Sequence, residues 1–167
     1  MAAVDDPESA AERRGRITAD LMEKTGIDDA MIERLVRAFY MRVQADPLLG
    51  PVFATRVHDW EVHIAKLCAF WSSVALMTGR YHGQPMQAHV RLPIAPAHFD
   101  RWIGLFENTA NAFCPPKAAS HFIERARRIA DSLELGIASH QGRIASPRFS
   151  VVQRQSVRPA APEVSCG

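Results

Sequence analysis

The sequence lacks the features that define several large classes of protein. It has only three cysteines in 167 residues, Cys68, Cys114 and Cys166, and they form no Cys-x-x-Cys pair. An odd number of widely separated cysteines argues against a disulfide framework and against a thiolate metal site. No run approaches the roughly 20 apolar residues that a membrane-spanning helix needs. A small disulfide-rich scaffold and a membrane-spanning protein are therefore both disfavoured.

A strong charge of one sign is also missing. The 20 Lys and Arg residues nearly balance the 18 Asp and Glu residues, for a formal net charge of +2. Binding to a nucleic-acid backbone usually requires a much larger basic surplus. Residues 1–15 carry four acidic side chains and no apolar core segment, unlike a signal peptide. We expect a cytoplasmic protein that binds neither nucleic acid nor membranes.

Common catalytic signatures are missing as well. The sequence contains no Gly-x-Gly-x-x-Gly fingerprint, no P-loop and no His-Glu-x-x-His zinc motif. Glu-x-x-His, which di-iron helical bundles use to bind their metals, does not occur either. Any chemistry must therefore come from side chains that are brought together by the fold.

What the sequence does have is apolar residues at helical spacing, with no stretch that alternates like a strand. It therefore predicts an all-α protein. Asp28 is a suitable N-cap for the first strong helix, which Asp46 and Pro47 end, and Gly136 is a suitable cap at the end of the last helix. The five predicted helical segments run from Asp28 to Asp46, over 58–78, through a short turn ending at Leu92, over 97–113 and over 117–135.

The two ends of the chain differ from this helical middle. Residues 1–16 are charged and rich in alanine, and residues 137–167 are rich in Pro, Ser, Gln and Arg. Such compositions bury little apolar surface, so we expect a flexible N-terminal extension and a disordered C-terminal tail. The folded domain is expected to span residues 17–136.

Several polar and aromatic side chains are turned toward the core by helical phase. They are Tyr40, His63 and Trp102, while His89 lies on the short turn. Taken singly, each histidine is also explained as a hydrogen-bonded core residue, and each aromatic as ordinary core. Together they would leave several buried polar groups that need partners, which a bound polar ligand or cofactor could satisfy.

Four separated segments resemble the group III truncated haemoglobins in order and spacing. They are FYMRVQADPLLGPVF (39–53), DWEVHIAKLCAFW (59–71), YHGQPMQAHVRLP (81–93) and HFDRWIGLF (98–106). The resemblance covers roughly residues 17–135. It implies a truncated globin fold, in which a sandwich of two helices over two encloses haem, and it says nothing about the two ends.

The resemblance also implies a role for each matching residue. His89 would be the proximal ligand of the haem iron, and Tyr40, His63 and Trp102 would stabilise a ligand on the distal side. The remaining haem-binding positions would be Phe53, Leu67, Phe70, Trp71 and Leu92. The cofactor would be haem b, and the ligands would be oxygen, nitric oxide and carbon monoxide.

Two hydrogen-bond donors near one bound oxygen molecule would slow its dissociation, which argues against a role in oxygen transport. A hydrogen bond to a charged acceptor contributes about 1.5–3 kcal/mol, and about 1.4 kcal/mol is a factor of ten. The sequence is therefore compatible with nitric oxide dioxygenase or peroxidase-like activity, for which an external reductase would supply electrons. A non-enzymatic gas sensor or haem carrier and a haem-free helical interaction module are the alternatives. His63 could gate ligand entry, hydrogen-bond through Tyr40 or bind iron itself.

Overall fold

Residues 8–143 are described by a computed structural model, and this part of the chain is helical. Within that range there are seven α-helices and no strands. They are α1 (Ala10–Thr25), α2 (Asp29–Ala45), α3 (Gly50–Ala54), α4 (Trp60–Leu76), α5 (Pro85–His89), α6 (Pro96–Phe113) and α7 (Pro116–His140). None of these helices is both long and apolar enough to cross a membrane.

Helix starts follow from local hydrogen bonding, as the sequence indicated for α2. The Asp28 carboxylate accepts the Met31 N–H at 2.7 Å, and the Asp59 carboxylate accepts the Val62 N–H at 3.1 Å. Both interactions satisfy N–H groups that the first turn of a helix cannot pair. The short α5 begins with Pro85, which has no N–H to satisfy.

The sandwich consists of two pairs of helices. Helices α2 and α4 contact each other and pack over α6 and α7, which also contact each other. Each of these four helices contributes one large aromatic ring to the centre of the sandwich. The four side chains are 0–1% exposed: Phe39, Trp71, Phe106 and Phe122. The Trp71 and Phe106 rings stack with centroids 4.8 Å apart. Burying such a side chain stabilises a fold by about 1.5–3 kcal/mol, so these four rings fix how the pairs pack.

The expected ends of the domain were wrong in part. Residues 10–16 were expected to be flexible, but α1 begins at Ala10 because Ser9 and Glu12 form a capping box. Helix α1 then lies against α4, where the Thr18 hydroxyl donates to the Leu76 carbonyl oxygen at 2.9 Å. Residues 1–7 lie outside the described residues, so the rest of the predicted extension stays a prediction.

The sequence suggested that Gly136 ends the last helix, but α7 continues to His140. The lack of a side chain at Gly136 serves packing instead. The end of the Met86 side chain occupies the space where a Cβ at residue 136 would lie. Helix α5 can therefore approach α7 closely. The tail expected from residue 137 is thus helical at its start, while residues 144–167 lie outside the described residues.

A buried carboxylate joins the end of α2 to α6. The Asp46 side chain is 1% exposed and accepts the backbone N–H groups of Leu48 and Leu49, each at 3.0 Å. It also accepts the Arg101 Nε–H at 2.5 Å. Burial alone would raise the pKa of Asp46, but the two backbone N–H groups and Arg101 outweigh it and lower that pKa. This carboxylate fixes the chain between α2 and α3.

Replacing Asp46 with Asn removes the charge and keeps the shape of the side chain. We expect Asp46→Asn to reduce the free energy of unfolding at pH 7 by about 1–3 kcal/mol, measured by urea denaturation. Because folding lowers the pKa of Asp46, its contribution is present above the unfolded pKa and is lost as pH falls through the folded pKa. The difference between wild type and variant should therefore shrink below about pH 4.

Glu61→Gln is the matched control. Glu61 pairs with Arg37 at 3.0 Å, but both side chains are largely exposed, and such pairs add little stability. A loss in Asp46→Asn no larger than the loss in Glu61→Gln would contradict the assigned role of Asp46.

Candidate functional site

A cavity of about 440 Å³ lies between the two pairs of helices, and α3 and α5 close its sides. Its volume is in the usual range for a site that binds a small molecule or cofactor. All nine residues that the sequence singled out line it: Tyr40, Phe53, His63, Leu67, Phe70, Trp71, His89, Leu92 and Trp102. The fold therefore brings together side chains that are up to 62 positions apart in the sequence.

His89, at the end of α5, has one ring nitrogen held by a hydrogen bond to the backbone. Its Nδ1 lies 2.7 Å from the Pro85 carbonyl oxygen. A carbonyl oxygen can only accept, so Nδ1 carries the proton and donates it. In the neutral ring the lone pair is then on Nε2, which is the arrangement usually found in metal-binding histidines.

Tyr40 and Trp102 lie on the same side of the cavity, on α2 and α6. Tyr40 is 5% exposed, and burial raises the pKa of its phenol well above the ordinary value. The Trp102 side chain offsets a smaller part of this rise by hydrogen bonding to Tyr40. At neutral pH Tyr40 therefore keeps its proton and can donate a hydrogen bond into the cavity, while the single N–H of Trp102 is directed at the Tyr40 oxygen.

His63 is held in a cage of aromatic rings. The centroids of the Trp60 and Tyr40 rings lie 5.6 and 5.9 Å from the centroid of the imidazole, and both rings stand perpendicular to it. Its Nε2 is buried and has no hydrogen-bond partner. Within residues 8–143, every other buried side-chain N or O atom has one. Burial, with a smaller effect of Lys66 and His89, lowers the pKa of His63, so the ring is neutral at pH 7.

Sequence reasoning missed four polar or charged residues of the lining. Arg56, Lys66, Tyr81 and His98 also line the cavity, whereas no Asp or Glu does so among the described residues. Lys66 follows His63 by three positions on α4, so helical periodicity could have placed it on the same face. Arg56 and Tyr81 lie outside helices, where periodicity gives no information.

The cavity fits a haem group. Haem has a flat apolar ring, an iron that accepts an imidazole nitrogen, and carboxylates on one edge. The corresponding features here are the mostly apolar lining, Nε2 of His89, and the positive charges of Arg56 and Lys66. The unpartnered Nε2 of His63 also indicates that a polar ligand belongs in this space.

Comparison with known proteins agrees with this geometry. A model of the bacterial-like globin family matches residues 20–134. The chain is 34% identical to the group 3 truncated hemoglobin ctb of Campylobacter jejuni over 113 residues, which is 65% of this chain and 89% of that protein. The chain belongs to the bacterial-like globin family, among its group III truncated haemoglobins. The resemblance found in the sequence is thereby confirmed.

A solved structure supports the same assignment for the fold. The crystal structure of the group III truncated hemoglobin from Campylobacter jejuni superimposes on this globin with a TM-score of 0.61 at 33% identity, over 65% of this chain and 89% of that chain. The prediction of an all-α truncated globin is confirmed. Globins bind diatomic gases such as oxygen at haem, so haem-based gas binding follows from the family.

The unpartnered nitrogen of His63 gives a test in the ligand-free protein. Leaving a buried polar group unpaired costs about 1–3 kcal/mol. We therefore expect His63→Leu to unfold at a higher urea concentration than wild type when no haem is present. In His121 the Nε2 lies 2.8 Å from the Ala75 carbonyl oxygen, so His121→Leu is the matched control and should lose stability.

Both variants exchange a partly buried histidine on a helix for leucine. They differ in whether a hydrogen bond is lost. If His63→Leu lost as much stability as His121→Leu, the His63 ring would be satisfied by its surroundings and the inference from its unpartnered nitrogen would be wrong.

Proposed function

We propose that this globin binds haem b through Nε2 of His89 and retains oxygen for reaction with nitric oxide or a peroxide. The observation that carries the proposal is the 2.7 Å hydrogen bond between Nδ1 of His89 and the Pro85 carbonyl, since it leaves Nε2 with its lone pair available. When bound, haem supplies an iron with one coordination position left open for a gas.

The charged residues suit the carboxylate edge of a haem group such as haem b. Haem b carries two carboxylates, and the cavity is lined by two basic side chains, Arg56 and Lys66. Charge-assisted hydrogen bonds from these residues would neutralise the carboxylates. Phe53, Leu67, Phe70, Trp71 and Leu92 would cover the apolar faces of the ring.

Tyr40 and Trp102 are the residues that we expect to retain oxygen. Bound oxygen takes up negative charge and accepts hydrogen bonds. Tyr40 keeps its proton at pH 7, and the Trp102 N–H, which donates to the Tyr40 oxygen in the empty cavity, would turn to the bound ligand. Slow release is unsuited to a transport protein and favours a reaction on the retained ligand. The external reductase that turnover requires and the cytoplasmic location both stay predictions.

His63 can add a third hydrogen bond to those that Tyr40 and Trp102 would make around bound oxygen. It is neutral, it lies beside Tyr40, and its Nε2 has no partner of its own. A neutral imidazole can donate a proton from one nitrogen and accept one at the other. We therefore propose that His63 bonds to the bound ligand or to the Tyr40 hydroxyl once the cavity is filled.

Replacing His89 tests the proposed proximal ligand. We expect His89→Ala to abolish stable haem binding, because no other described side chain is expected to replace its Nε2. The measurement is a titration with haem followed by the Soret band. His98→Ala is the control, since His98 also lines the cavity but uses Nδ1 to accept the Ala95 N–H at 3.0 Å. Full haem loading in His89→Ala, with an unchanged ferrous spectrum, would disprove the assignment.

Replacing Trp102 tests the retention of oxygen. Trp102→Phe keeps a ring against Phe39 and Phe106 but removes the N–H donor. One lost bond to a charged acceptor should speed oxygen dissociation by about tenfold to a hundredfold, as measured by stopped-flow spectroscopy.

Trp60→Phe is the matched control for that experiment. Trp60 packs against Tyr40 and Phe53 with centroids 6.2 Å from each, and it is not among the residues that line the cavity. Its replacement should leave the dissociation rate nearly unchanged. Equal rates in Trp102→Phe and wild type would rule out the indole as a donor.

A further inference from the structure

Tyr81 lies in the cavity wall between α4 and α5 and has no part in the function proposed above. Its backbone N–H donates to the Ser73 hydroxyl at 2.9 Å. Its ring meets the Phe70 ring edge to face, with centroids 5.2 Å apart. The phenol oxygen lies against Gly83, at the point where a Cβ would be. The half-buried ring is therefore held in one position between the cavity and solvent.

A continuous row of rings connects Tyr81 with the oxygen-binding side of the cavity. Trp102 stacks on Phe106 with centroids 5.5 Å apart, and Phe106 stacks on Trp71 at 4.8 Å. Trp71 contacts Phe70 at 5.7 Å, and Phe70 contacts Tyr81. The indole and phenol rings of this row can be oxidised by one electron, whereas Phe106 and Phe70 cannot, so an electron passes each of these two between one oxidisable ring and the next. An electron can thus move from Tyr81 toward Trp102.

The protein has two tyrosines, and their surroundings differ in one respect that matters for oxidation. A phenol that loses an electron must also lose its proton. Tyr40 is 5% exposed, so its proton could pass only to His63 beside it, and burial disfavours the charged form of that imidazole. Tyr81 is partly open to solvent, so water can take its proton. Tyr81 is therefore the tyrosine from which an electron is more easily removed.

We propose that Tyr81 is a surface oxidation site, through which a hydroperoxide that reacts in the cavity oxidises small phenols outside it. This inference rests on the proposed haem function. In the complete reaction one hydroperoxide and two phenol molecules give one alcohol, one water and two phenoxyl radicals. The O–O bond breaks in the cavity. Tyr81 gives one electron toward the cavity and its proton to solvent, and it regains both from a phenol at the surface.

The test is electron paramagnetic resonance on the haem-loaded ferric protein, frozen within milliseconds of mixing with one equivalent of hydrogen peroxide. We expect a tyrosyl radical in the wild type and in Tyr40→Phe, and its loss in Tyr81→Phe, which removes only a hydroxyl group. Adding 4-methoxyphenol before freezing should remove the wild-type signal. Without the phenol, dityrosine-linked dimers should form in the wild type and be absent in Tyr81→Phe.

Each other outcome overturns the proposal in a distinguishable way. A tyrosyl signal of equal size in Tyr81→Phe would assign the radical to Tyr40. A normal Soret band that changes with peroxide, without any tyrosyl signal, would refute the role of Tyr81 and leave the proposed haem function standing. A protein that shows no Soret band after haem is added would overturn both.

Discussion

The hydrogen bond from Nδ1 of His89 to the Pro85 carbonyl is the interaction on which the proposed haem site depends. It determines which ring nitrogen keeps a lone pair, and it holds the ring in one orientation on a helix of only five residues. So short a helix has little stability of its own. Its position depends on α7, where Gly136 leaves room for Met86. A mid-helix glycine costs about 1 kcal/mol relative to alanine, and here it allows α5 to lie close to α7.

The cavity and the core share residues, so binding and stability are linked. Trp71 is part of the central group of rings and also lines the cavity, and Trp102 stacks on the same group through Phe106. The part of the cavity wall that these two residues form is therefore packed as closely as the core. In the ligand-free protein this space leaves His63 with an unpaired nitrogen. A ligand that binds only the folded protein stabilises it by mass action, so haem should raise the stability of the whole domain.

Much of the fold followed from the sequence because it depends on local patterns. Periodicity and the Asp28 cap located α2, and proline and glycine marked the short segment that carries His89. The sequence did not reveal the ends of α1 and α7. The capping box of Ser9 and Glu12, which starts α1, was not recognised, and the charged composition of residues 1–16 suggested flexibility instead. Gly136 has the properties of a helix cap, and only the contact with Met86 explains its position inside a helix.

The sequence identified some residues of the site and missed others, again because it reveals mainly local patterns. Helical phase and the family resemblance identified nine residues that line one cavity. Arg56 and Tyr81 were missed because loop residues have no periodicity, and the buried ion pair of Asp46 with Arg101 joins positions far apart in the chain. The alternative of a non-enzymatic gas sensor would need a surface that responds to ligand binding, and residues 144–167 lie outside the described structure. It stays a hypothesis.

The central claim is that Nε2 of His89 is bonded to the haem iron. Resonance Raman spectroscopy of the ferrous, ligand-free protein measures this bond directly. The account predicts an iron–histidine stretching band that shifts when the protein is labelled with ¹⁵N-histidine and that persists in His63→Leu. A ferrous spectrum without such a band, or a band that disappears in His63→Leu, would contradict it.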